Sequence, residues 1–320
     1  MSVPGNSSRM FVSVVVVLVL VSSLFAGVYV LPWLLSMTDH DVTADDPILI
    51  VSDADFAHQA AERNWIGFGT QESPFVISGL RIESDTACIR IENVTVYFVI
   101  RDCILYTPKS AYYGICVDVR NSSNGVVEYC NVTGRETGVA FLMSRCMTVR
   151  HCGISSVVYG VNATICENIS VIDCTVALCW WSVALVGANS SRILNNTLDQ
   201  NEVGVSSQFS RDCTISGNVF SDNIRAVQVG LDCLDWDIVD NDVLNSADIG
   251  IVLDSLSQGI RVIGNRIGWS TVCNALDDGV ENSWDDGESI GNSWSDYSGT
   301  GVYYVNGTAT SIDHFPSILT

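Results

Sequence analysis

Apolar and polar positions recur along this chain on a beat of about 22 residues. Alternating runs of β-branched and aliphatic residues, four to six long, are separated by Asn, Asp, Ser and Gly, which is the pattern of short strands between tight turns. One column reads Cys103, Cys130, Cys152, Cys174, Asn196, Asn218, Asn241 and Asn265, at steps of 27, 22, 22, 22, 22, 23 and 24 residues. Each member sits in the same phrase, as in "VIDCTV", "ILNNTL" and "VIGNRI", with an aliphatic residue three positions before it. A second column keeps step: Gly114-Ile115, Gly138-Val139, Gly160-Val161, Ser182-Val183, Gly204-Val205, Ala226-Val227 and Gly250-Ile251 each open an alternating run.

Two columns in step mark a repeat architecture. Helical repeats need longer units and an apolar stripe of period 3.6, and a leucine-rich frame is absent. The remaining solution is an all-β coil of parallel strands, one turn per repeat, whose turns share a continuous core because none can bury its apolar face alone. About nine turns are expected over residues 75–272, a rod of roughly 43 Å at about 4.8 Å per strand. Asn side chains stacked at that spacing can hydrogen-bond one another and the turn backbone. Cysteine fits the same slot as a small, buried hydrophobe.

The ends of the coil read differently. Asp53 to Asn64, "DADFAHQAAERN", is an amphipathic helix with Asp53 as N-cap, and residues 48–74 form an N-terminal helical cap shielding the first turn. After Asn265 the beat fails, so residues 273–320, rich in Asp, Trp and Gly, are expected to form the opposite cap. Residues 36–47 are an acidic stalk. Phe11 to Leu35 is an apolar run of 25 residues after an n-region of residues 1–10 that carries Arg9. As a helix it is about 37 Å long, enough to span a bilayer. An uncleaved transmembrane anchor and a cleaved signal peptide are both open, and either places the rest outside the cytoplasm, at the cell surface or secreted.

Charge narrows the partners. The net charge is −21 and Lys109 is the single lysine, which excludes nucleic acid because phosphate binding needs a basic patch. Calcium and cationic partners stay open. Eight Asn-x-Ser/Thr sequons follow the apolar run, at Asn93, Asn121, Asn131, Asn162, Asn168, Asn189, Asn195 and Asn306, and make an extracellular glycoprotein plausible. A ninth, Asn6, precedes it. Twelve cysteines outside a cell ordinarily suggest disulfides. The column places Cys103, Cys130, Cys152 and Cys174 with parallel Cβ atoms further apart than a bridge prefers, so buried free thiols are expected there.

The repeat phrases, the opening "DADFAHQAAERNWIGFGTQESPFVISGLRI" and the closing "NSWDDGESIGNSWSDYSGTGVYYVNGTATSIDHFP" resemble those of NosD-like right-handed parallel β-helix proteins. The resemblance covers about residues 47–320 and rests chiefly on the Asn-x-Trp-Ser-Asp-Tyr segment. It implies the pectin lyase-like fold, grouped with carbohydrate-binding and sugar-hydrolase β-helices, and a surface or secreted location. The ending "VYYVNGTATSIDHFP" departs from the commoner Gly-Asp-Gly-rich close of the family, which puts a metal site there in doubt.

Several constellations could carry chemistry. Asp277, Asp278, Glu281, Asp285, Asp286 and Glu288 crowd the C-terminal segment, and Asp232, Asp235, Asp237, Asp240 and Asp242 crowd one turn. Such clusters can hold calcium or act as paired carboxylates in glycoside hydrolysis, and an acidic protein also has solvated acidic surface. Asp232, Asp235 and Asp237 are the calcium candidates; Asp277, Asp278, Asp285 and Asp286 are ligand-binding candidates. The column Tyr113, Thr137, Tyr159, Trp181, Val203, Arg225 and Ile249 lies two before the inward Ile/Val column and by alternation should face inward. Trp180 has the opposite parity and is the exposed sugar-stacking candidate. Met143, Cys146, Met147, His151 and Cys152 are soft ligands within ten residues, prompted by the family resemblance to copper, though core and turn roles account for them. No catalytic set is assigned. The reading is a membrane-anchored extracellular β-helix that binds a polysaccharide or cell-envelope component without catalysis. A carbohydrate-active enzyme and a NosD-like copper-handling accessory are the alternatives.

Overall fold

A computed structural model describes residues 42–108, 110 and 113–320; the apolar run, Asn6 and Lys109 lie outside them. The chain winds into a right-handed solenoid with three strand faces. The first face has twelve short parallel strands, from Thr43–Ala44 through Ile104–Tyr106 and Thr197–Asp199 to Ser317–Ile318. The second runs from Ile48–Ile50 to Cys273–Asp277 and the third from Phe75–Ser78 to Arg261–Ile263. These two faces are joined by the strand Tyr159–Ile172, which bends through the corner and pairs with strands of both. No helix among the described residues is long and apolar enough to cross a membrane.

Alternation supplies the core. On the first face Leu105, Val132, Ile154, Val176, Leu198, Phe220, Val243, Ile267 and Trp294 form one buried column. Val127, Val149, Val171, Ile193, Ile215, Ile238 and Val262 do so on the third face, and the second contributes pairs such as Val117/Val119 and Val183/Leu185. Registers hold the beat: Thr137 opposes Tyr159, Tyr159 opposes Trp181, and Trp181 opposes Val203.

Corners are turned by single residues in the left-handed backbone region. Asp102, Tyr129, His151, Asp173, Asn195, Gly217, Asp240 and Gly264, each immediately before a ladder residue, have φ between 51° and 72°. Another corner uses Asn93, Asn121, Met143, Ile165, Gly187, Phe209 and Leu231. Asn, Asp and Gly tolerate this conformation, whereas a β-branched residue there is a genuine outlier.

The ladder residue then points inward. The backbone N–H of Asn196 donates to Asn218 Oδ1 (2.9 Å), that of Asn218 to Asn241 Oδ1 (2.9 Å), and that of Asn241 to Asn265 Oδ1 (2.9 Å). Each Nδ2 donates sideways to a core carbonyl as well, as Asn218 does to Ile193 O (2.8 Å). The four column cysteines are buried free thiols donating to the carbonyl two residues back, at 3.1–3.3 Å. Away from that column, burial pushes the thiols of Cys179 and Cys213 up to about 12. A second, parallel ladder runs from Cys179 through Asn201 to Asn223, each N–H meeting the next Oδ1 at 2.9 Å.

The coil is longer than its beat suggests. Twelve strands on the first face make about eleven turns, not nine. Thr43–Ala44 and Ile48–Ile50 already pair in parallel with Leu80–Arg81 and Ile89–Ile91, so the ranges read as stalk and cap contain strands. Past residue 272, Cys273–Asp277, Ser293–Trp294 and Ser317–Ile318 continue the faces. The ladder also continues: Asn265 N–H donates to Asn292 Oδ1 (3.0 Å) and Asn292 N–H to Asp313 Oδ2 (2.7 Å). Longer loops between those turns hide this from the spacing. The helix is Asp53–Glu62 with Ser52, not Asp53, as N-cap: Ser52 Oγ accepts from Asp55 N–H at 3.1 Å. Asp53 instead accepts from the Thr95 hydroxyl and backbone (both 2.6 Å).

Two substitutions test this account. Asn218→Ala should cost about 3–5 kcal/mol, because it orphans several buried donors and acceptors at once; a denaturant midpoint checks it. Ile165 is 64% exposed with φ 55°, so Ile165→Asn should stabilise by about 1 kcal/mol and raise Tm.

Candidate functional site

Two surface features combine side chains in ways that packing alone does not require. The first is an aromatic shelf on the second face. Tyr159 and Trp181 stack with ring centroids 4.9 Å apart and planes 12° apart, and Trp180 meets Trp181 edge-on at 6.1 Å. Trp180 is 58% exposed, while Tyr159 and Trp181 are half-buried rather than packed inside as strict alternation predicts. The cause lies at Gly138 and Gly160, which the paired registers skip. A Cβ at Gly138 would meet the Gly160 carbonyl oxygen at 2.6 Å, so the strand is pinched there and its parity does not carry across. Beside the shelf, Ala140, Asn162, Ala184 and Ser206 lie in register as a floor of small side chains. Further along the Trp181 column stands Arg225, held by Asp248 (Nε–Oδ2 2.8 Å) and Gln228 (3.3 Å).

The second feature is a cavity of about 500 Å³ near the C-terminal end, with Arg261, Ser283, Asp285, Asp286, Thr310 and His314 among its lining residues. His314 Nδ1 lies 2.8 Å from Asp285 Oδ2. Asp285 also accepts from the backbone N–H groups of His314 and Gly287, both at 2.8 Å. Burial pushes the Asp285 carboxyl up, but the hydrogen bonds from the His314 backbone and ring and from Gly287 outweigh it and hold the group below the usual carboxylate range. Arg261 Nη1 pairs with Asp237 Oδ1 at 3.0 Å. The arrangement fixes the imidazole by its Nδ1 and leaves Nε2 for a ligand. His314 and Asp285 stand 29 residues apart in the segment where the beat fails, so no sequence signal joined them.

The acidic candidates are mostly engaged in structure. Asp277 is fully buried and accepts from Gly279 N–H, Asn282 Nδ2, Trp284 Nε1 and Ser311 Oγ at 2.7–2.9 Å. Asp278 receives the Thr308 backbone and hydroxyl, and Asp286 receives three backbone N–H groups from residues 288–290. Among the described residues no three His, Cys, Asp or Glu side chains come together as a metal-holding group; Asp232, Asp235 and Asp237 therefore do not form the calcium cluster that the sequence suggested. Of the sequons, Asn93, Asn121, Asn168, Asn195 and Asn306 are exposed, and Asn131, Asn162 and Asn189 are half-buried.

The family described as periplasmic copper-binding protein (NosD) matches residues 100–299, well over half of the chain. The chain belongs to the NosD family. No curated protein matches it. Among solved structures, it is similar to PfbA, a surface adhesin of Streptococcus pneumoniae (TM-score 0.53, 13% identity, 76% of this chain and 77% of that chain). It is similar also to the A-module of the mannuronan C-5 epimerase AlgE4 from Azotobacter vinelandii (TM-score 0.50, 14% identity, 76% and 74%). At such identities these likenesses show the β-helix fold alone.

A family described as copper-binding invites a test for copper, and this NosD-family chain's soft ligands do not fit it. Met143 and Cys146 are exposed, Met147 is in the core, and Cys152 belongs to the ladder. His151 stacks on Tyr129 with centroids 4.9 Å apart. Among the described residues Cys146, His151 and Cys152 do not come together as a metal-holding group.

Asp285, with its lowered folded pKa, contributes stability above the unfolded value of about 3.9 and loses it as pH falls through the lower folded value. Asp285→Asn should therefore lower Tm at neutral pH and flatten the loss of Tm below about pH 4, as melting curves across pH will show.

Proposed function

We propose that this NosD-family protein is an extracellular, membrane-anchored β-helix whose second face binds glycan without cleaving it. The aromatic shelf of Tyr159, Trp181 and Trp180 carries the reading. Stacked rings with exposed apolar faces suit the C–H faces of pyranose rings. The floor of Ala140, Asn162, Ala184 and Ser206 leaves room beside them, and Arg225 and Gln228 offer polar partners for hydroxyls. The apolar run Phe11–Leu35 supports an anchor and an outside location, as do the eight sequons that follow it. The descriptions of the family as periplasmic and of PfbA as a surface adhesin point the same way. The helix Asp53–Glu62 serves as an N-terminal cap, with Phe56 stacked on Phe75 at 5.0 Å.

A carbohydrate-active enzyme is the second reading, favoured by the His314–Asp285 pair in its cavity. An imidazole held at Nδ1 by a carboxylate can act as a base through Nε2.

The two separate in one experiment. The chain should retain on particular members of a polysaccharide panel without generating new chain ends. Trp180→Ala and Trp181→Ala should each weaken that binding by about tenfold, the loss of roughly 1.4 kcal/mol of stacking. New reducing or unsaturated ends abolished by His314→Asn would replace this reading with the second.

A further inference from the structure

The end of the solenoid at which the chain enters carries an apolar tip. Its edge strands are Thr43–Ala44, Ile48–Ile50 and Phe75–Ser78, each paired on one side. Above the last of these runs the segment Arg63–Gly69. Val76 N–H donates to Ile66 O (3.0 Å), Phe68 N–H to Ser73 O (2.8 Å), and Tyr97 N–H to Gly69 O (2.9 Å). Phe68 is 83% exposed and Ile66 62% exposed. This is a rigid presentation rather than a slack loop. Gly67 has φ 106°, and a Cβ there would fall 1.8 Å from the Pro74 carbonyl oxygen. Next to the tip, Trp65 is half-buried with the Arg63 guanidinium 5.4 Å from its ring centroid, and Arg63 is neutralised by Asp45 at 2.8 Å. On the neighbouring face of the same end, Leu49 and Val51 are exposed too.

An apolar tip backed by a tryptophan and an arginine has the chemistry of a bilayer interface: aliphatic and Phe side chains enter the acyl boundary while Trp and Arg stay at headgroup level. The chain itself supplies the proximity. Only residues 36–41 separate Leu35, the end of the apolar run, from Val42. Seven extended steps reach at most about 24 Å, which bounds the tether between that run and Val42. We infer that Ile66 and Phe68, with Trp65 behind them, form a wedge that enters the headgroup region of the adjacent membrane and stands the solenoid on its N-terminal end. Glu62 and Glu72 flank the tip, so the surface it suits is a zwitterionic one rather than an anionic one. The inference rests on the anchored reading given above and adds an orientation to it.

The test uses the full chain in phosphatidylcholine vesicles, with the exposed Cys146 replaced by Ser. An environment-sensitive fluorophore is attached through Gln71→Cys beside the tip or through Ser298→Cys near the C-terminal end. The label at 71 should be blue-shifted and quenched several-fold more strongly than the label at 298 by lipids spin-labelled near the headgroup. Adding Ile66→Ser and Phe68→Ser should abolish that difference while Tm is kept. Equal exposure of both labels on a chain that floats with the vesicles after an alkaline carbonate wash would overturn the wedge and leave the anchor standing. A chain that the wash strips from the vesicles would overturn both.

Discussion

From Cys174 onward each ladder residue of this solenoid buries a backbone N–H at a corner, and the next turn brings the acceptor to it. That need fixes the register. If the step between turns drifts by one residue, the inward column on each face moves outward and the ladder acceptor moves off its donor. Asn meets the demand best, because Oδ1 accepts from the preceding turn while Nδ2 donates to a core carbonyl. In the first half of the coil the thiols of Cys103, Cys130, Cys152 and Cys174 fill the same slot with weaker bonds and more apolar bulk. The corners in turn depend on residues held at positive φ, and these decide which side chains stand out at the edges.

Much of this was legible because a period is robust to local irregularity. The ladder from Cys103 to Asn265, its hydrogen bonding, and the stacking of Tyr159 on Trp181 all follow from a 22-residue step. The parallel ladder through Cys179, Asn201 and Asn223 carries the same step and could have been found by it. What escaped has identifiable physical causes. The extra loop residues between Asn265 and Asn292 stretch one step to 27 residues, so the beat looked finished two turns early. The pinch at Gly138 and Gly160 interrupts alternation, so Thr137, Val203 and Ile249 of the aromatic column are buried as expected while Tyr159 and Trp181 stay half-buried. The pairing of His314 with Asp285 joins two loops outside any repeat, where neither period nor motif applies. Acidic clustering in the sequence was a poor guide, since Asp277, Asp278, Asp285 and Asp286 are largely occupied as local hydrogen-bond acceptors.

The division of labour in the molecule follows from this. Interior columns are committed to register and leave no room for a ligand, so only the outward positions of the faces and the loops at the ends are open to one. The second face offers rings and small side chains in register at the strand spacing, which suits a repetitive partner such as a polysaccharide better than a single compact one. The end that carries Ile66 and Phe68 offers hydrophobic side chains instead, and the opposite end a polar cavity.

The ladder has a direction. From Cys174 to Asn292 every N–H along it donates toward the C-terminal end, so the row is a one-way relay that needs, at its finish, a group that accepts and has nothing to donate. Asp313 is such a group, and it closes the relay on a carboxylate. A chain with this grammar can lengthen by inserting whole turns between existing ones, where each new Asn both receives and passes on, but not by appending turns after its full stop. Variation in length among solenoids of this kind should therefore fall in the middle, with the terminating acid carried along unchanged.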